Sequence, residues 1–354
     1  MGFHRFLLWK GLTLALTAIL ALTATVAIAG YGGAIDQIAT RFVEFETRQS
    51  MVDDQSFRGV SSSQREKILS EMIKERRAEL GLDRPFIERM PSYVFDTLRL
   101  DFGTAWTMTS DTGSRKVIDM IWEKLPRTAL LFTTGTVMSL GIGIPLGLRA
   151  ASRPNKVLDR TVVPLALVSN ALPMWWTGMM MIILFSFSLK IFPPGGFVSV
   201  PPPENSFAYA LDILQHMALP LLTIILVSSG GLAYVIRNMA LRAFNEDYIF
   251  AARARGIPER RIIYRHAFRA ASPAIATIAG FTLLSSLGGA IISEVVFNWP
   301  GMGLLYWTAI TQQDLPVVIG LTYISILLYM LLVLVLEVIY GILDPRIRVL
   351  PESR

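Results

Sequence analysis

The stretch 245-NEDYIFAARARGIPERRIIYRHAFRAASP-273 decides how the chain is read, because it is strongly basic, carries helix-boundary signals and lies between two long apolar runs. Asn245 is placed to cap a helix. Glu246 and Asp247 fill the first turn and Arg253 and Arg255 the last, so side-chain charge complements the helix dipole at both ends. Gly256 then suits a left-handed C-terminal cap, and Pro258, with Glu259 beside it, suits the first position of a second helix. Two short helices with a break at 256–258 are expected. On the first, Tyr248, Ala251, Ala252 and Arg255 recur at helical spacing, a face whose small centre lets another backbone approach closely. That fits a docking surface; the competing reading is an ordinary basic inner loop that carries topology signals alone.

The surroundings are those of a membrane protein. Of 354 residues, 53% are hydrophobic and 17% charged, and the mean hydropathy is +0.49, outside the range of an average soluble domain. Apolar runs of about 20 residues fall near 11–29, 128–150, 161–189, 217–236, 273–293 and 316–340, which predicts six spans. Lys and Arg set their direction. Arg149, Arg153, Lys156 and Arg160 crowd one short loop, and Arg237, Arg242, Arg253, Arg255, Arg260, Arg261, Arg265 and Arg269 crowd the stretch at 237–269. The facing loops near 190–216 and 297–315 hold only Lys190, so the basic loops and both termini are expected in the cytoplasm. Arg346 and Arg348 in the tail agree. Cysteine is absent, which excludes disulfides and Cys-ligated metal.

Four divisions follow: a first span at 1–30, an extracytoplasmic insertion at 31–127, a membrane core at 128–344 with the loop 245–273 inside it, and a cytoplasmic tail at 345–354. The N-terminus has the outline of a signal peptide, but its apolar run of about 19 residues is longer than usual and favours a retained span. Within the insertion, Ser63 to Leu80 reads as an amphipathic helix with Ile68, Met72, Ile73 and Leu80 on one face, ended by Gly81. Asp101-Phe102-Gly103 looks like a kinase metal-binding triplet, yet no Gly-rich loop or catalytic-loop sequence accompanies it. Gly143 and Gly147 stand at GxxxG spacing around Pro145, a pattern for close helix packing with a kink. In 169-SNALP-173, Asn170 needs a partner inside an apolar run: either core hydrogen bonding or a water-filled path, for which Ser169, Asn170 and Pro173 are the candidates. A stiff external turn is expected from Pro193-Pro194-Gly195-Gly196 and Pro201 to Pro203. His216 is alone and reads as an interfacial side chain rather than a metal ligand.

Phe250-Ala251-Ala252, three residues, then Gly256 resembles the EAA loop of ABC importer permeases, and the run from Glu246 through Gly256 to Arg265-His266-Ala267 is similar to its form in the oligopeptide/dipeptide permease family. The likeness extends to Gly81-Leu82-Asp83-Arg84-Pro85, Leu100 to Gly103, Ser293-Glu294 through Phe297 to Pro300-Gly301-Met302-Gly303, Asp314 to Val318, and Leu343 to Arg348. Two departures stand out. Gly30-Tyr31-Gly32-Gly33 and a charged insertion through Arg58 replace the family's Pro-Gly-Asp-Pro-like turn, and the apolar-Pro step of the loop comes only at Ala271-Ser272-Pro273.

The resemblance implies an all-α integral membrane protein of six transmembrane helices, with cytoplasmic N- and C-termini, a large extracytoplasmic insertion after the first helix and a coupling-helix loop between the fourth and fifth. It also implies a multi-pass permease subunit of the cell's cytoplasmic (inner) membrane that binds no cofactor and no nucleic acid and has no catalytic or metal residues. Its partners would be membrane lipid, a homologous second permease, cytoplasmic ATPase subunits holding ATP and Mg, and an extracytoplasmic substrate-binding protein. Glu246, Asp247, Tyr248, Ala251, Ala252, Arg253, Arg255, Gly256 and Pro258 would form the ATPase-coupling element. In it Ala251 and Ala252 would give close contact, Gly256 the break, and Glu246, Arg253 and Arg255 polar rim contacts. Di- and oligopeptides are the family's default cargo, with oligosaccharides or nickel as alternatives.

Other classes fit less well. No G-x-x-x-x-G-K-[ST] sequence is present, so the chain itself does not bind ATP in the P-loop manner. The five spans after the first hold no mid-membrane charge, Glu294 and Glu337 lying near span ends, which counts against an ion-coupled secondary transporter. Sodium sites built from backbone carbonyls stay open. A membrane enzyme lacks H-E-x-x-H or paired carboxylates, and a receptor or scaffold would put its active part in the 31–127 segment.

Overall fold

The computed structural model describes residues 3–31, 33–53, 61–79, 81–287 and 291–343. About 80% of the described residues are helical, and they form no strand, only an isolated bridge between Thr104 and Lys116. In order the helices are α1 (Phe3–Tyr31), α2 (Ala34–Asp53), α3 (Ser62–Glu79), α4 (Phe86–Leu98), α5 (Val117–Thr128), α6 (Thr134–Ser152), α7 (Val157–Ala171), α8 (Met174–Met181), α9 (Ser206–Phe244), α10 (Asp247–Ala254), α11 (Glu259–Arg261), α12 (Phe268–Leu287), α13 (Ile291–Val296), α14 (Met302–Thr311) and α15 (Leu315–Leu343). π-helical turns at Ala129–Thr133, Ile182–Ser188 and Ile262–Ala267 join or extend them.

Four stretches are long and apolar enough to cross a membrane: Leu8–Tyr31, Val117–Ser152, Ser206–Phe244 and Leu315–Ile339. Val157–Ala171 with Met174–Ser188 makes a fifth if that pair, bent by 91°, counts as one span. The apolar run expected over 161–189 is thus broken near its middle. Pro173 has no amide hydrogen to continue the ladder, and its ring forces Leu172 into an extended conformation with ψ 110°, so the helix stops there. The fifth expected run, 273–293, includes 288–290, which lie outside the described residues, as do Gly32, 54–60, Leu80 and the tail at 344–354.

The chain forms two compact units, one of Met1–Leu12, Glu123–Trp307 and Leu328–Arg354, the other of Thr13–Trp122 and Thr308–Leu327. In the second unit α2 pairs with α3, and Ala39, Val43 and Leu82 form a small core with Ile73 and Trp106 against it. Ile68, Met72 and Ile73 of α3 are half-buried, but none of its described side chains is fully buried. Arg89 is buried and paired with Asp36. Phe102 packs edge-on against Tyr323 at 6.2 Å, and the Gly103 amide donates to Asp101 Oδ1 at 3.1 Å, so the 101–103 triplet is a local turn with an anchored ring.

In the first unit, α9 is the central rod. α6 lies along it through the GxxxG pair: a Cβ on Gly143 would come within 2.9 Å of Leu232 Cβ, and one on Gly147 within 2.5 Å of the Ala233 carbonyl oxygen. Only glycine permits that separation, as the spacing predicted. α7 lies against another part of α9, where Gly230 faces Leu165 and Ser169. Lys10 of α1 pairs with Glu337 of α15 at 2.9 Å.

Candidate functional site

The loop after α9 is two helical pieces with a break. Its start corrects the expectation, since α9 runs on to Phe244, Asn245 becomes its C-terminal cap, and Glu246 caps α10 with extended backbone (φ −77°, ψ 143°) and no side-chain bond. Its end is as expected. Gly256 takes φ +73°, its amide donates to the Arg253 carbonyl at 2.9 Å, and the Ile257 amide donates to the Ala252 carbonyl at 3.2 Å, the paired bonds of a Schellman turn. Pro258 then caps α11 instead of opening it, one position earlier than expected.

One face of α10 is fixed inward. Ile249 is fully buried and Ala252 is 7% exposed, and both belong to an apolar cluster that includes Leu148 of α6, Ile236, Ala240 and Phe244 of α9, and Ile262 and Ile263 beyond the break. Burial of Ile249 alone stabilises this placement by about 1.5–3 kcal/mol. The other face is open, with Phe250 at 77% exposed and Tyr248, Ala251, Arg255 and Asp247 also exposed. Ala252 is buried in this cluster and anchors the helix, so the residues of this stretch that stay open are Ala251 with Tyr248 and Phe250. Arg253 is exposed, yet its Nη2 donates to Glu259 Oε1 at 2.9 Å and its guanidinium lies 5.8 Å from the Phe244 ring centre, bracing the two helical pieces. Partial burial, with the Glu246 carboxylate as a lesser cause, pushes the Tyr248 phenol above its usual range, so it stays neutral at physiological pH.

The second set of candidates lies at the α7–α8 bend. Ser169 is buried, and its hydroxyl donates to the Leu226 carbonyl of α9 at 3.1 Å, so it binds helix to helix. Asn170 is exposed beside Gly231, and Pro173 forms the N-terminal cap of α8. His216 is buried in the protein, with Nδ1 2.9 Å from the Asp212 carbonyl oxygen. No cluster of three metal-ligating side chains occurs among the described residues.

A third arrangement had been read only as a signature. Glu294 is fully buried; Thr128 donates to its Oε1 at 2.8 Å and the Leu304 amide to its Oε2 at 2.9 Å. The Met302 amide donates to Thr128 Oγ1 at 2.6 Å, and Trp299 donates from its indole to the Arg127 carbonyl at 3.0 Å. Gly301 leaves no room for a side chain, since a Cβ would lie 2.5 Å from Glu294 Oε1. Nearby, the Gly196 amide donates to the Phe297 carbonyl at 2.8 Å, so the glycine-proline turn at 193–196 is fastened to the 294–304 turn. The signal in the sequence was a carboxylate followed by Pro-Gly-x-Gly; its partner Thr128 is too distant in the chain to be inferred.

Comparison with known proteins places these parts. Residues 143–349 match the family described as the binding-protein-dependent transport system inner membrane component. The chain is 32% identical over 267 residues to the oligopeptide transport system permease protein AppB of Bacillus subtilis, covering 75% of this chain and 82% of that one. It is 35% identical to the probable D,D-dipeptide transport system permease protein DdpB of Escherichia coli (78% and 84%), and 30% identical to that organism's dipeptide transport system permease protein DppB (82% and 87%). Among solved structures, an inward-facing form of the MetNI methionine ABC transporter superposes with a TM-score of 0.50 at 18% identity, covering 64% of this chain and 97% of that one, a likeness of fold. The open-faced α10, the braced turn after it and the glycine-containing turn at 294–304 thus belong to a membrane-embedded ABC importer permease: the chain is a member of the binding-protein-dependent inner membrane component family, in the branch that holds the oligopeptide and dipeptide permeases.

Proposed function

We propose that this chain is one of two homologous permeases forming the pore of an ATP-driven importer, with six spans, both termini in the cytoplasm and its seat in the inner membrane. Cytoplasmic ATPase subunits carry ATP and Mg and dock on α10, while an extracytoplasmic binding protein delivers the cargo. The chain itself holds no cofactor and performs no hydrolysis. Di- or oligopeptides are the cargo, a reading supported by the names of the relatives; oligosaccharides or nickel are the outcomes that would replace it. The carrying observation is α10 itself, an eight-residue helix pinned by Ile249 and Ala252 on one side and bare at Tyr248, Phe250 and Ala251 on the other. A surface so held is suited to take a push without yielding, and to pass it into the helices attached at each end.

Co-expression with the neighbouring ATPase and permease genes provides the test. Both should co-purify with the chain, and uptake of labelled di- and tripeptides into proteoliposomes should require ATP and the binding protein. Uptake that follows an ion gradient with no ATPase bound would refute the reading in favour of a secondary transporter.

A further inference from the structure

Resting on the permease reading, we propose that the buried Asp159–Arg237 pair is the joint through which movement of the 245–258 loop reaches α7 and the bend at Pro173. Asp159 stands in the first turn of α7 and is buried; Arg237 stands in α9, two turns before the helix ends at Phe244 and passes into α10. The guanidinium grips the carboxylate with two bonds, Nε to Oδ1 at 2.5 Å and Nη2 to Oδ2 at 3.0 Å. Each partner is held in place by a further contact. The Asn155 amide donates to Asp159 Oδ2 at 2.8 Å, and Arg237 Nη1 donates to Asn238 Oδ1 at 2.9 Å. A forked pair of this geometry fixes orientation as well as distance, which a single apolar contact does not.

The position of the pair matters more than its strength. Further along the same two helices Ser169 donates to the Leu226 carbonyl, and Gly230 admits α7 against the backbone of α9. α7 is thus bound to α9 at two levels, by a hydroxyl near the bend and by a charged fork near the loop. With both in place, any displacement that α10 imposes on the end of α9 is carried into α7 and so to Asn170 and Pro173. With the fork removed, α7 keeps its upper attachment and its packing at rest, but its lower end no longer has to follow. Asp159 and Arg237 are positioning residues in this scheme; neither touches cargo or ATPase.

The chain has no cysteine, so spin labels go only where they are placed. Val157→Cys and Arg242→Cys, both exposed, put one label at the start of α7 and one near the end of α9. The distance between them is measured in the assembled complex, nucleotide-free and trapped with ADP-vanadate, in an otherwise unchanged chain and in Asp159→Asn with Arg237→Gln. Removing both charges together avoids leaving one buried and unpaired. The expected result is one narrow distance in both states with the pair intact. The neutral pair should give the same distance without nucleotide and a shift of about 2 Å or more, with broadening, when trapped. An unshifted neutral pair overturns the proposal. So does one already altered without nucleotide, or one that fails to insert, since either would make the fork a folding element. Failure of the ATPase subunits to bind the unaltered chain would instead defeat the permease reading.

Discussion

The loop at 245–258 and the turn at 294–304 are both tight, glycine-containing and rich in family signature, yet they are built on opposite plans. The loop is held by apolar contacts from Ile249 and Ala252 and leaves its polar and aromatic face open. The turn is held by hydrogen bonds that centre on one fully buried carboxylate and on Thr128 beside it, and leaves little of its machinery exposed. A helix supported from behind by apolar contacts keeps its donors, acceptors and rings available on the other side, as the proposed docking on α10 requires. A turn folded over a buried carboxylate must satisfy its own polar groups, since no solvent does so for them. The difference teaches which signature residues stay open at the surface and which are committed within the chain.

Substitutions can break or sharpen that contrast. The largest effect is expected from Gly301→Val, whose side chain would be driven into Thr128 and Glu294; a loss of about 3 kcal/mol or more should appear as a fall in thermal stability of the detergent-solubilised protein. A variant that melts normally would mean the 294–304 turn is not self-locked. Ala252→Leu comes next, costing about 1–3 kcal/mol by overpacking, whereas Ala251→Leu should change stability by less than about 0.5 kcal/mol and yet lose ATPase subunits on co-purification. Should both leucines behave alike, the two faces of α10 are not distinct. Gly256→Val forces a β-branched residue to φ +73° with no atom within 4 Å to clash, so the cost is about 1–2 kcal/mol of backbone strain. That variant should still insert and hydrolyse ATP in the complex while peptide uptake falls; full uptake would remove the rigid turn from the mechanism. Among the substitutions that remove a bracing contact, the smallest effect is expected from Arg253→Gln, at about 0–1 kcal/mol of stability, because its bond to Glu259 is half-exposed.

Local chemistry made much of the 245–258 loop legible. A glycine after two arginines and before Ile-Pro announces a helix end, and the turn is there with both of its bonds. The loop's inward face was not legible, because Ile249 and Ala252 point to residues of α6 and α9 that only the folded chain brings near. Asn245 misled for a related reason: a good cap residue serves either end of a helix, and the length of α9 decided which. Prolines show the same limit. Pro145, Pro164, Pro220 and Pro273 all sit inside helices, whereas Pro173 breaks one, and nothing in their immediate neighbours separates the cases. Glu294 could be noticed but not understood, since its meaning lies in Thr128 and in amides on the far side of the turn.

The length of α9 has a consequence of scale. Its 39 residues, at 1.5 Å each, measure about 58 Å, nearly twice the ~30 Å hydrocarbon thickness of a bilayer. A tilt of only about 5° over such a span carries one end sideways by roughly 5 Å relative to the other. A change of angle too slight to disturb the packing of Gly143 and Gly147 is therefore large enough, at the tip, to open or shut a passage the width of a backbone.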